Sequence, residues 1–161
     1  MPDIPYRFTV NASPARVFDA LTDQRHIAGW WTPDCTVEQK VGGHATFEFK
    51  AAAGRLDGYS LMRIEQLVPG ELVEWKCIEQ DYQGNNDWIG TTICFRLSDN
   101  RHGGTDIDFA HLDWKSTGGT YHRCFDGWNH VLKTSLKNYL ETGKGEPYLA
   151  HIRKEAAKRA S

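Results

Sequence analysis

The sequence has 161 residues, 40% of them hydrophobic and 25% charged, which is the composition of one folded domain rather than of a disordered chain. No apolar run reaches the roughly 18–20 residues of a membrane-spanning helix. The 19 basic and 21 acidic residues give a formal net charge of −2, without the basic excess of nucleic-acid-binding proteins. Because the amino-terminal residues carry no secretory signal, we expect a cytoplasmic protein with no membrane span and no nucleic-acid partner.

The four cysteines are spaced too widely for a metal site of the CxxC type. They are Cys35, Cys77, Cys94 and Cys124, and in a cytoplasmic chain they are expected to be reduced thiols. The histidines are dispersed as well, and neither a dinucleotide fingerprint nor a phosphate-binding loop is present. The sequence therefore predicts no metal and no cofactor.

The amino-terminal part of the chain predicts one strand followed by two short helices. Residues 6–10 are rich in β-forming side chains. Ser13 is a suitable N-cap, and Pro14 suits the first position of a helix continuing over 15–21. A second short helix is expected to end near Trp30.

After Pro33 the hydrophobic pattern changes to a period of two for about eighty residues. The predicted strands are 35–39, 44–50, 56–67, 72–80, 88–97 and 105–114. Gly-containing turn sequences separate most of them. Successive strands joined by short turns indicate an antiparallel meander, because parallel neighbours would need long crossover connections.

A long amphipathic helix is predicted over 120–141, with Gly143 as its C-cap. Its apolar stripe is Tyr121, Cys124, Phe125, Trp128, Leu132, Leu136 and Tyr139. The predicted fold is α+β: a curved antiparallel sheet wrapped around this helix in a single domain over 1–143. Residues 144–161 form an extension that is helix-compatible over 149–160. Its basic side chains suit a solvated face, with a dimer contact or a lid as alternatives.

Aromatic residues make up 12% of the chain, enough to line a cavity between sheet and helix. Strand alternation and the helical stripe predict which side chains point inward. The candidate ligand-binding residues are Trp30, Trp31, Phe47, Phe49, Trp75, Cys77, Ile93, Phe95, Phe109, His111, Tyr121, Cys124, Phe125 and Trp128. A solid, well-packed core would produce the same pattern.

His111 is the candidate catalytic residue, because it continues an inward-facing apolar series. If alternation continues, Asp113 shares its face and holds one tautomer of the imidazole, and Tyr121 adds a hydrogen-bond donor from the helix. The alternative is a core histidine whose ring nitrogens are satisfied by neighbouring polar groups.

The order of several short motifs resembles the START-like (SRPBCC) superfamily, and within it the branch of Hsp90-ATPase-activator homologues. The matching segments are 12–23, Gly29-Trp30-Trp31, Val41-Gly42-Gly43, 68–75, 109–114 and Gly127-Trp128. The resemblance covers about residues 5–142 and implies a helix-grip fold, often with a ligand cavity. Trp30 and Trp31 then lie near its entrance, one plugging the core and the other gating the mouth, with simple core packing of both as the alternative. One departure is Asp113, where many relatives have glycine before the tryptophan.

Three functions are compatible with these features. The first is a protein that binds a hydrophobic or aromatic small molecule in the cavity. The second, implied by the resemblance, is an interaction module that modulates a chaperone ATPase. The third is a cyclase- or hydrolase-like enzyme that uses His111, Asp113 and Tyr121. A homodimer partner is possible in each case, because an open sheet has edges that can pair.

Overall fold

The computed structural model describes residues 3–50, 54–115 and 121–148, and of residues 122, 123 and 125 it describes the backbone alone. The predicted helix over 149–160 and the side chain of Phe125 lie outside this part. The strands are β1 (Ile4–Val10), β2 (Asp34–Val37), β3 (His44–Lys50), β4 (Leu56–Val68), β5 (Leu72–Tyr82), β6 (Thr92–Asp99) and β7 (Thr105–Leu112). The helices are α1 (Pro14–Thr22), α2 (Gln24–Trp30), α3 (Tyr121–His130) and α4 (Lys137–Thr142), with a π-helical segment over Val131–Leu136 joining the last two.

The two short helices begin where their capping residues predict. The Ser13 hydroxyl accepts a hydrogen bond from the backbone N–H of Arg16 at 3.2 Å, and Pro14 opens α1. Asp23 ends α1 through its backbone N–H and begins α2 with its carboxylate, which accepts from the backbone N–H of Arg25 at 2.9 Å. Two hydrogen bonds from the Arg25 guanidinium to this carboxylate, together with the backbone one, hold the pKa of Asp23 at about 2.

The seven strands form one antiparallel sheet in the order β1-β7-β6-β5-β4-β3-β2. The meander from β2 to β7 confirms the sequence prediction, and β1 pairs with β7 at the far edge, with Ile4 opposite His111. A β-bulge interrupts the pairing of β4 with β5, because Leu61 pairs with Glu79 and Met62 with Cys77. Ile78 is the extra residue, so the inward face changes parity there.

The long helix was predicted as one regular α-helix, but its middle is π-helical. A π-helical turn holds more residues than an α-helical turn, which shifts the phase of every side chain after it. Leu140 is therefore the buried residue of α4, whereas Tyr139 is partly exposed and its hydroxyl lies 2.6 Å from His26 Nδ1. The helix ends at Gly143, whose φ of 85° is the left-handed conformation predicted for this C-cap.

Three predicted strands are longer than the observed ones, and the first of them, 35–39, ends at Val37. Residues 88–91 form a turn before β6, because Gly90 has a φ of 87° and the Thr91 hydroxyl donates to the Trp88 carbonyl oxygen at 2.6 Å. Strand β7 ends at Leu112, since Asp113 has a φ of 68° and its backbone N–H donates to the Asp3 carboxylate at 3.1 Å.

The concave face of the sheet packs on α3, the π-helical segment and α4, which gives the helix-grip arrangement. Aromatic rings fill most of the space between the sheet and the helices. The fully buried ones include Trp30, Trp75, Phe47, Phe95 and Phe109. None of the helices in the described part of the chain is long and apolar enough to cross a membrane.

Candidate functional site

A cavity of about 180 Å³ remains at one end of the aromatic core. It lies between the ends of β3 and β5, the turn before β6, the long helix and the segment after α4. Its walls are Trp31, Phe49, Gln80, Tyr82, Trp88, Cys124, Gly127, Trp128, Val131 and Tyr148. Most of this surface is apolar, so the site favours apolar or aromatic groups.

Trp31 is the centre of the ring cluster that separates the cavity from the solid core. Its ring centroid lies 4.4 Å from that of Phe47, 5.4 Å from that of Trp128 and 6.1 Å from that of Trp75, the last in a stacked arrangement. It is only 5% exposed, so it forms a wall of the cavity rather than a gate at its mouth. Trp30 is fully buried in the core, and its indole N–H donates to the Ala20 carbonyl oxygen at 2.7 Å.

The bulge at Ile78 brings Gln80 and Tyr82 to the cavity wall. Without it, the alternation that buries Trp75 and Cys77 would turn Glu79 inward, as the sequence pattern implies. Burial raises the pKa of the Cys77 thiol to about 12, so this cysteine is an unreactive core residue rather than part of the cavity wall.

Trp88 forms the opposite wall and is held there by four hydrogen bonds. Its backbone N–H donates to Gln80 Oε1 at 3.0 Å, and its indole N–H donates to Cys124 Sγ at 3.2 Å. The third and fourth come from the hydroxyl and the backbone N–H of Thr91, which both donate to the Trp88 carbonyl oxygen. Its ring stacks on that of Trp128 at a centroid distance of 5.8 Å and an angle of 15°. Gly90, which produces this turn, was the sequence signal that could have separated Trp88 from strand β6.

Tyr148 covers one side of the cavity from the segment that follows α4. Its backbone N–H donates to the Trp31 carbonyl oxygen at 2.7 Å, and its ring meets that of Phe49 edge to face at 5.2 Å. Its hydroxyl donates to the Asp57 carboxylate at 3.0 Å and accepts from the Tyr82 hydroxyl at 2.6 Å. Burial and these hydrogen bonds raise the pKa of Tyr148.

The segment before Tyr148 is fixed to the domain as well. Ser135, fully buried in the π-helical part, donates from its hydroxyl to the Trp30 carbonyl oxygen at 2.6 Å and accepts from the backbone N–H of Glu146 at 2.7 Å. There is no space for a side chain at Gly145, because an added Cβ would lie 2.5 Å from the Gly29 carbonyl oxygen. The first residues of the predicted extension are therefore part of the candidate site.

His111 has both ring nitrogens satisfied inside the core. The Trp128 indole N–H donates to His111 Nδ1 at 3.0 Å, and His111 Nε2 lies 2.8 Å from Thr91 Oγ1. Because the Thr91 hydroxyl donates its own proton to the Trp88 carbonyl, it accepts from Nε2, so the imidazole is neutral with its proton on Nε2. Burial lowers the pKa of His111 from 6.5 to about 3.

The predicted pairing of His111 with Asp113 is wrong. Asp113 is exposed beyond the end of β7, and its left-handed backbone turns it off the inward face. The Tyr121 hydroxyl donates instead to the Asp3 carbonyl oxygen at 2.9 Å, and its ring packs edge-on against Trp114. The three side chains of the enzyme hypothesis therefore do not form a common site.

Four of the predicted ligand-binding residues border the cavity, namely Trp31, Phe49, Cys124 and Trp128. The other described ones are not among its walls: Trp30, Phe47, Trp75, Cys77, Ile93, Phe95, Phe109, His111 and Tyr121. The cavity walls also include residues that the sequence pattern did not predict, namely Gln80, Tyr82, Trp88, Gly127, Val131 and Tyr148. In the described part of the chain, no group of three His, Cys, Asp or Glu side chains could hold a metal ion.

The amino-acid sequence also matches the model of a known protein family. The model of the family "Activator of Hsp90 ATPase homolog 1-like protein" matches residues 11–141, which is most of the chain. The chain belongs to this family. No curated protein sequence matches it.

Solved structures agree with membership of the Hsp90-ATPase-activator homologue family. The Aha1 dimer from Colwellia psychrerythraea, studied in solution, is 30% identical, with a TM-score of 0.73 over 90% of this chain and 100% of that one. Protein CV1439 from Chromobacterium violaceum is 24% identical, with a TM-score of 0.69 over 88% and 99%. An HSP90 activator from Plasmodium falciparum is 17% identical, with a TM-score of 0.65 over 85% and 92%, and shares the fold.

Proposed function

We propose that this protein binds a small apolar or aromatic molecule in the cavity between its sheet and its carboxyl-terminal helix. The observation that carries the proposal is the cavity bounded by Trp31, Trp88 and Trp128. Three indole rings around one space give a planar ligand faces and edges to pack against.

The cavity volume limits the ligand to a small one. Its approximately 180 Å³ is close to the volume of an engineered apolar cavity of about 150 Å³ that binds benzene. It is below the roughly 300 Å³ at which sites for drug-sized ligands begin. A single substituted ring fits this space, whereas a polycyclic ligand would require Tyr148 and its segment to move.

Gly127 provides a direct test, because it lines the cavity and an added Cβ would meet no heavy atom within 4 Å. Toluene is expected to shift the indole N–H resonances of Trp88 and Trp128 in NMR spectra of the wild-type protein. Gly127→Leu places a side chain in the cavity and should abolish these shifts. Gly127→Ala is the matched control, which leaves most of the cavity open and should raise the free energy of unfolding by about 1 kcal/mol.

Two results would contradict ligand binding at this site. One is a wild-type spectrum that toluene leaves unchanged. The other is an equal affinity for toluene in the wild type and in a folded Gly127→Leu variant.

Modulation of a chaperone ATPase is the second candidate function, and it is supported by the family match and by the 30% identity to an Aha1 protein. The exposed apolar side chains of the described residues do not add to this support, because they form no docking surface. The exposed large apolar side chains of the described residues are Val41, Leu56 and Val68. Leu56 and Val68 lie at opposite ends of β4, roughly 40 Å apart at the usual rise of a strand. A chaperone contact would therefore be mainly polar.

If this second function holds, the ATPase rate of Hsp90 from the same organism is expected to rise when this protein is added. Gly127→Leu should raise it equally, because the filled cavity lies away from a polar surface contact. An unchanged ATPase rate with the wild-type protein would overturn the chaperone proposal. Since the Colwellia relative is a dimer, sedimentation equilibrium should test a homodimer in the same samples.

A further inference from the structure

We propose that the ligand is a neutral aromatic molecule with a hydrogen-bond acceptor, such as a carbonyl oxygen, and that the side-chain amide of Gln80 donates to this acceptor. The inference rests on the proposed function and adds the polar group that the ligand must carry. It follows from which hydrogen-bonding groups of the cavity wall are already used and which are not.

Gln80 is only 8% exposed, and one end of its amide is assigned by the surrounding structure. The backbone N–H of Trp88 needs an acceptor and lies 3.0 Å from Oε1, which fixes the oxygen on that side. The nitrogen, Nε2, then carries two N–H groups that have no hydrogen-bond partner among the described residues. An acceptor on the ligand would give these N–H groups a partner inside the cavity, so it gains binding energy.

The other polar groups of the wall that could compete for the ligand are engaged with one another. The Tyr82 hydroxyl donates to Tyr148, the Tyr148 hydroxyl donates to Asp57, and Cys124 Sγ accepts from the Trp88 indole. The Trp31 indole N–H is the other side-chain donor of a wall residue without a partner in the described part of the chain. The unused N–H groups of the wall, on Gln80 and Trp31, therefore favour a ligand that carries an acceptor.

The described residues of the wall carry no charge, which disfavours an ionised ligand. No Asp, Glu, Lys, Arg or His is among the described residues that line the cavity. Transferring a carboxylate or an ammonium group into such a site without a partner charge is strongly unfavourable. A neutral ketone, aldehyde, ester or amide on an aromatic ring satisfies both conditions.

Two probes of nearly the same shape test this inference. Acetophenone carries a carbonyl oxygen where α-methylstyrene carries a CH₂ group, so they differ chiefly in the acceptor. Titration of the full-length wild-type protein, followed by the indole N–H resonances, is expected to give a dissociation constant about tenfold lower for acetophenone.

Gln80→Glu removes the donor while keeping an acceptor for the backbone N–H of Trp88. The preference for acetophenone should disappear or reverse in this variant, while α-methylstyrene still binds and so reports that the cavity is intact. Gln83→Glu is the matched control, since it makes the same change of charge at an exposed position outside the cavity and should keep the wild-type preference. Gln80→Met is a second variant without the donor and should also lose the preference.

The outcomes separate this inference from the proposed function. If neither probe binds the wild-type protein, both fail. If the two probes bind equally well, the cavity binds ligands but the role of Gln80 is overturned. A wild-type preference that persists in Gln80→Glu and Gln80→Met would also overturn it and would assign the hydrogen bond to another donor, such as the Trp31 indole.

Discussion

Trp31→Ala is expected to lower the free energy of unfolding by about 3–5 kcal/mol, the range observed when a large buried aromatic side chain is removed. Trp31 is 5% exposed, and its ring contacts those of Phe47, Trp75 and Trp128. The loss of stability should lie at the upper end of this range. Removing the indole enlarges an existing cavity, and the neighbouring rings are too rigid to fill the enlarged space. Urea unfolding followed by far-ultraviolet circular dichroism measures it.

Trp31→Phe is the matched comparison, since it keeps a ring against Phe47 and should cost clearly less than Trp31→Ala. The alanine variant should also lose its affinity for toluene, because one wall of the proposed site is gone. A loss of stability below about 1 kcal/mol for Trp31→Ala would contradict the central packing role given to this residue.

Acid is expected to destabilise the protein specifically through His111. The folded protein holds this imidazole neutral with a pKa of about 3, whereas the unfolded chain has the ordinary value near 6.5. Between these two values the unfolded state binds a proton that the folded state does not. The free energy of unfolding should therefore decrease as the pH falls from about 6.5 towards 3, by up to about 1.4 kcal/mol per pH unit from this residue.

His111→Gln removes the titrating group and should flatten this part of the stability profile, although it costs stability at neutral pH by disturbing the bonds to Trp128 and Thr91. Stability is to be measured by urea unfolding between pH 7.5 and 4.5 for the wild type and the variant. Carboxylates titrate in both proteins, so the difference between the two profiles isolates His111. His102→Gln, at an exposed position, is the control that should keep the wild-type slope. Parallel profiles for the wild type and His111→Gln would contradict the assignment.

His111 shows how a residue that sequence alternation singles out can have a structural role. Its inward position was predicted correctly from strand β7, and so was the possibility that core groups satisfy it. Alternation could not predict the end of the strand at Leu112, because the left-handed Asp113 is held by a hydrogen bond from its backbone N–H to the carboxylate of Asp3, a residue distant in sequence. With Asp113 turned away, Trp128 and Thr91 occupy the two ring nitrogens.

The hydrophobic alternation of the strands could not predict the polar residues of the proposed site either. Gln80 and Tyr82 face inward only because Ile78 is an extra residue opposite β4. A bulge is a feature of pairing between two strands, and neither strand carries it in its own hydrophobic period. Tyr148 belongs to the cavity because Ser135 and Gly29 fix the segment before it, which is a contact between residues distant in sequence.

The resemblance of several short motifs indicated the family. From local patterns alone, the sequence determined the order of the strands and helices, the antiparallel sheet and the capping of the short helices. These features depend on local backbone preferences and on the spacing of apolar residues, and both can be read directly from the amino-acid sequence. Only the tertiary structure decided how much of the aromatic interior is solid, where the remaining cavity lies and which polar groups border it. Close packing of Trp31, Trp75 and Trp128 fills most of the predicted space, because the fit of rings against one another depends on their three-dimensional arrangement and not on their positions in the sequence.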